Sequence, residues 1–182
     1  MISEVTRWLA DFEKALTSSD KAALEGLFRP DAHWRDLVAL TWRVKTVSGS
    51  SSLIKEITSH GHAAGARAFE IDPRRTPPRQ VTRAGTKAIE AIFRFETDRV
   101  RGQGVLRLIP EGDLYKCWTL LTAADEIKGY EESIGRRRPK GEAYSREFRG
   151  PNWLDLRKQS TSYADRDPVV LVVGGGQAGL SI

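Results

Sequence analysis

LEGLFRPDAHW, residues 24–34, closes a short helix and opens a strand. Ala23, Leu24, Leu27 and Phe28 supply the apolar side of the helix. Arg29-Pro30-Asp31 stops it, because proline has no amide hydrogen and pushes its predecessor out of helical geometry. Upstream, Val5, Trp8, Leu9, Phe12 and Leu16 recur with helical spacing, which predicts a first helix with one apolar face and Ser3 as its cap. Ser18, Ser19 and Asp20 break that helix and can cap the second. Downstream, residues 32–47 read as two short strands with Trp34, Leu37, Leu40, Trp42 and Val44 as apolar members. After Gly49 and three serines comes a third helix with Leu53, Ile54 and Ile57, ending in HGHAAG at 60–65.

From residue 66 the period changes to two. Residues 66–72 and 79–83 are strand candidates around a turn rich in proline (Pro73, Pro77, Pro78). Ile89, Ala91, Phe93 and Phe95 alternate with Glu90, Arg94 and Glu96. Residues 105–109 and 114–123 are two more strands, with turn signals at 102–104 and at Glu111-Gly112-Asp113. Helices gathered in front and strands behind predict an α+β architecture: three helices packed on a curved, mostly antiparallel sheet.

The 182 residues, 40% of them hydrophobic, suffice for one domain with a core and fall short of two. Cys117 is the only cysteine, so no disulfide forms within the chain, and its apolar surroundings suit a buried hydrophobe. The start, Met1-Ile2-Ser3-Glu4, lacks the pattern of a signal peptide, and no apolar run reaches the roughly 18 residues of a membrane helix. The reading is a soluble cytoplasmic protein without a membrane partner. The net charge of +5 lies in the segment 136–158, where eight Lys or Arg face Glu142, Glu147 and Asp155. The segment lacks interleaved aromatics, so it reads as a solvated or docking linker and not as a nucleic-acid platform. Trp153 in this linker is expected to anchor it on a domain.

The last residues read DPVVLVVGGGQAGLSI, 167–182. A run of β-formers leads into Gly174, Gly176 and Gly179, with GxGxxG spacing. A continuous apolar run suits a parallel strand buried on both faces. The first glycine permits a tight turn, the second lets a pyrophosphate approach the backbone, and the third lets the next helix pack on the strand. The acidic residue expected about 20 positions further on falls beyond Ile182. A lone strand of this type has no neighbours to satisfy its backbone, so this chain by itself is expected to bind no cofactor.

The helix and strand order of residues 1–127 resembles the SnoaL-like, or nuclear transport factor two-like (cystatin-like), cone. Together with WTLLTAADEIKGYEE (118–132), FRGPNWLDLR (148–157) and the glycine motif, the chain resembles bacterial and fungal flavin-containing, NAD(P)H-dependent monooxygenases that carry an added N-terminal cone. The resemblance implies a cone at 1–127, a basic linker at 128–167, and at 168–182 the first strand and turn of a truncated Rossmann FAD domain. It implies FAD, NADPH and oxygen as partners of a longer flavoprotein oxidoreductase acting on a small organic substrate, with this piece an accessory, inactive part. It carries over only Gly174, Gly176 and Gly179. It also implies a homodimer through the open face of the sheet.

The alternative is a stand-alone small-molecule binder or proton-transfer enzyme of the isomerase or dehydratase type. Its candidates are His33, Asp36, His60 and His62. His33 and Asp36 stand three apart, so on one strand they face opposite sides. His60 and His62 lie at a helix end, where solvated or capping roles prevail. No third ligand completes a metal site with them.

Overall fold

In the computed structural model of the protein, the described residues are 1–138, 149–165, 167–168 and 170–177. The chain forms two compact units, Met1–Glu132 and Ser133–Ile182. The first unit is α+β. Its helices are α1 (Ile2–Thr17), α2 (Lys21–Leu27) and α3 (Ser50–Ala63). Its strands are β1 (Phe28–Leu37), β2 (Val44–Ser48), β3 (Arg67–Ile71), β4 (Arg79–Arg83), β5 (Thr86–Glu96), β6 (Val100–Glu111) and β7 (Leu114–Ile127). They make one mixed sheet in the order β2-β1-β7-β6-β5-β3, with β4 also on β5. Only the β1–β7 pair is parallel; the other pairings are antiparallel.

α1 buries the face its spacing marks: Val5, Trp8, Leu9, Phe12, Ala15 and Leu16. Met1, not Ser3, occupies its N-cap, and Ser3 donates to Glu4 within the first turn. Asp20 caps α2 by accepting from the Ala23 amide at 3.0 Å. The helix ends at Leu27 and β1 begins at once. Pro30 falls where the register of β1 on β7 shifts, between Phe28 and His33, so its missing amide costs no regular ladder bond. Beyond the shift, β1 alternates cleanly: Ala32, Trp34 and Asp36 are buried, while His33 and Arg35 are exposed.

The prolines at 73, 77 and 78 do not join a hairpin. β3 pairs with the far end of β5 (Arg67↔Glu96, Ile71↔Phe93) and β4 with its near end (Arg79↔Glu90, Arg83↔Thr86). The chain between them slides along one edge of β5. Proline there withholds the amides that a β3–β4 ladder would use.

Residues 102–104 form no turn either; they lie inside β6. Phe93 stands directly opposite Gly104 and Phe95 opposite Gly102. A Cβ on Gly104 would strike the Phe93 ring and the Leu121 carbonyl, and one on Gly102 would strike the Phe95 ring. The glycines are the floor on which the two rings lie. The reversal comes earlier, at 97–99, where the Thr97 hydroxyl accepts from the Arg99 and Val100 amides.

The rings join a continuous aromatic core. Trp8 stacks on Phe12 at 5.0 Å, Phe12 meets Phe69 edge-on at 5.1 Å, and Phe69 stacks on Phe95 at 5.1 Å. Each such pair is worth about 1 kcal/mol beyond burial. Cys117 sits in this core with no exposure, as a small hydrophobe.

The second unit differs from the expected irregular linker. It holds a one-turn helix (Gly135–Arg137) and α4 (Trp153–Ser162). Asn152 accepts from the Asp155 amide while Asp155 accepts from the Asn152 amide, a capping box readable in the sequence as N-x-x-D. Trp153 is 62% exposed, and Arg157 of the next turn covers its ring at 5.3 Å. The strand expected over 168–173 is not formed among the described residues: Pro168 and residues 170–175 carry no strand pairing. The reason is the one the sequence suggests, that a strand apolar on both faces needs a neighbour on each side.

Gly104→Ala should lower stability by about 1–3 kcal/mol, the usual range for overpacking a filled core. The check is the urea midpoint, with Gly112→Ala as a reference for backbone strain without crowding, since nothing lies within 4 Å of a Cβ there. An unchanged midpoint in Gly104→Ala would refute the ring-on-glycine account.

Candidate functional site

The register of the strand pairings lines up residues across the outer face of the sheet, the face away from the helices. One row runs Arg79, Glu90, Arg107, Thr119, His33, Ser48 from β4 to β2. The next runs Ile92, Val105, Leu121, Arg35, Thr46. The outer face is therefore a polar row beside a short half-buried apolar row.

Glu90 is the centre of the polar row. Its side chain is only 9% exposed, and three guanidiniums converge on it. Arg79 donates at 3.1 Å and Arg83 at 3.1 and 3.3 Å, both from β4. Arg107 donates at 2.8 Å from β6 and reaches the Thr119 hydroxyl at 3.4 Å. Burial favours the neutral acid, but the hydrogen bonds from Arg83, Arg107 and Arg79 outweigh it and hold the carboxyl down at about 2. Three cations against one anion leave the cluster with two positive charges in excess. Such an arrangement can bind an anion.

Asp36 and Asp72 are also buried carboxylates, both with no exposure; Asp72 pairs with Arg74 of its own turn, while Asp36 faces the inner side. The Asp36 oxygens accept from the amides of Leu40 and Thr41 and from the hydroxyls of Thr41 and Thr122, at 2.7–3.2 Å. Thr122 in turn accepts from the Trp34 indole at 3.0 Å. Asp36 thus pins the loop between β1 and β2, where Val38 and Trp42 adopt positive φ. All its lone pairs are directed at backbone and hydroxyl donors of its own loop and of β7.

The structure does not bring His33 to Asp36. His33 is exposed on the outer face, with Nδ1 2.8 Å from the Ser48 hydroxyl. His60 and His62 lie in the last turn of α3. His60 stands 3.3 Å from Glu56, which also holds Lys45 at 2.7 Å. Burial raises the Cys117 thiol, so it stays protonated.

No protein-family model matches the chain, and no curated protein matches it. Solved structures resemble it. A nuclear transport factor 2 (NTF2-like) superfamily protein from Salmonella enterica serovar Typhimurium is 12% identical; the match covers 76% of this chain and 95% of that one, with a TM-score of 0.48. Aln2 from a Streptomyces species is 13% identical over 68% of this chain and 89% of its own, with a TM-score of 0.48. A protein with a cystatin-like fold from Caulobacter vibrioides is 11% identical over 67% of this chain and 87% of its own, with a TM-score of 0.45. These likenesses concern the fold and transfer no activity.

Of the sequence-marked glycines, Gly174 has φ +113, and neither Gly174 nor Gly176 has any atom within 4 Å of a would-be Cβ. Gly179 lies outside the described residues. Leading into them, Val170, Leu171, Val172 and Val173 are 63%, 79%, 40% and 91% exposed. No helix among the described residues is long and apolar enough to cross a membrane.

The Glu90 cluster is absent from the sequence reading. The alternation of β5 already places Glu90 opposite in sense to Phe93, but its three partners come from β4 and β6, and only register assembles them.

Glu90→Gln should destabilise the first unit by about 2 kcal/mol at neutral pH, the scale of a charge-assisted hydrogen bond. In the parent chain the carboxyl titrates at 4.5 unfolded and at about 2 folded. Its contribution is therefore complete above about 4.5 and is lost as the pH falls from there toward 2. Thermal unfolding from pH 7 to 2.5 should show the stability difference between parent and variant shrinking over that acid range. A constant difference would contradict the assignment.

Proposed function

We propose that residues 1–127 are an accessory, non-catalytic NTF2-like module joined by a basic linker to the start of a dinucleotide-binding domain. On this reading the longer protein is an FAD-dependent, NAD(P)H-using monooxygenase of a small organic substrate. The observation that carries it is the exposed run Val170-Leu171-Val172-Val173 leading directly into Gly174 and Gly176. Four consecutive apolar residues in water are costly unless a sheet is to cover them.

The described residues do not by themselves make a cofactor cradle. The open space at Gly174 and Gly176 would admit a pyrophosphate, but no strand holds the turn, and no acidic ribose partner is in place. When bound in the longer protein, FAD would supply the oxygen chemistry. Of the module's acid–base candidates, Asp36 serves its loop and His33 faces outward, so these two do not form a pair for proton transfer.

The reading is tested by expressing the gene through the codons that follow Ile182 and recording the flavin absorbance of the purified product. Stoichiometric flavin is the expected result, with loss of it in Gly176→Val. The 182-residue chain should take up none on titration. A longer product that never carries flavin would refute the oxygenase origin.

As its second role the module forms a homodimer through the outer sheet face. Ile92, Val105 and Leu121 form a half-buried apolar row there, bordered by the Glu90 row on one side and by Arg94 and Gln103 on the other. Sedimentation should show a dimer that Val105→Asp converts to monomer. A parent chain monomeric at high concentration would remove this role.

A further inference from the structure

We propose that Arg79, Arg83 and Arg107 form a binding site for a phosphate dianion on the outer face of the sheet. Glu90 is the part that organises it. Both of its oxygens are already engaged, so it holds the three guanidiniums in place, 2.8–3.3 Å away, without neutralising them. The charge left over is twofold positive, which matches one dianion.

The geometry leaves donors for a ligand. Each guanidinium carries five N–H groups in a planar fork. Arg79 directs one of them to Glu90 and Arg83 two, while the Arg79 and Arg83 side chains remain 56% and 46% exposed. Arg107, 29% exposed, is held at both ends by Glu90 and Thr119. Arg79 and Arg83 stand four apart on β4 and both reach back to one carboxylate, so they flank the point above Glu90. Guanidinium pairs recognise phosphate oxygens bidentately, and prior ordering by Glu90 lowers the entropy lost on binding. Glu90 repels an anion placed against it, so the ligand sits on the outward forks of Arg79 and Arg83.

The test uses the 182-residue chain at a concentration where sedimentation shows monomer. Inorganic phosphate is titrated at constant ionic strength against chloride, with thermal unfolding and phosphorus NMR line width as readouts. Phosphate stabilises proteins generally by exclusion, so the comparison is with the double variant Arg79→Ala/Arg83→Ala, its fold verified by circular dichroism. Saturable stabilisation and line broadening are expected in the parent, with affinity about tenfold or more weaker in the double variant and unchanged in Arg99→Ala, an exposed arginine elsewhere. A second arm measures co-sedimentation with phosphatidic acid vesicles. Binding to vesicles but not to free phosphate, lost in the double variant, keeps the site and makes its ligand a lipid headgroup. If the double variant does not fold, Arg79→Gln alone, on the most exposed of the three side chains, repeats the comparison. No saturable response in either arm, or an equal response in parent and variant, overturns the proposal.

Discussion

The pairing of Phe93 with Gly104 and of Phe95 with Gly102 fixes how β5 lies on β6, and most of the first unit depends on that register. In an antiparallel ladder a slip of one residue exchanges the two faces. Here a slip would drive ring carbons into a backbone without room and turn the charged side of β5 toward Phe12 and Phe69. The same register sets Glu90 opposite Arg107 and Ile92 opposite Val105. The core and the outer face thus follow from one steric choice: glycine where an aromatic ring must lie across the neighbouring strand.

Two of the buried carboxylates, Asp36 and Glu90, show how location decides what an acid does. Asp36 is surrounded by amides and hydroxyls, and its role is to hold a strained loop. Glu90 is surrounded by guanidiniums, and its role is to hold cations. Neither resembles a poised general base, because each spends its lone pairs on fixed donors. The positive charge around Glu90, with its outward donors, is a property of the sheet's outer surface, not of its interior.

The sequence exposes the helices and most strands because burial on one face imprints a period of 3.6 or 2. It misplaces features governed by partners. Gly102 and Gly104 look like a turn because glycine is the usual turn residue; their actual reason, a ring from another strand, is invisible along the chain. Pro73, Pro77 and Pro78 look like a hairpin tip, yet they mark a slide along β5. Trp153 looks like an anchor, and instead Arg157 stacks on it within one helix, which the Asn152–Asp155 box could have announced.

What the sequence determined by itself is local: the apolar stripe of α1, the Asp20 cap, the inward and outward alternation of β5, and the opposite facing of His33 and Asp36. Each needs only the geometry of one segment. What tertiary structure alone decided is which segments meet. Glu90 finds Arg79, Arg83 and Arg107 because β4 and β6 flank β5, and Asp36 finds Thr122 because β7 lies parallel to β1. Those contacts join residues from 7 to 86 positions apart, and neither their spacing nor their residue types carry that information until the sheet order exists.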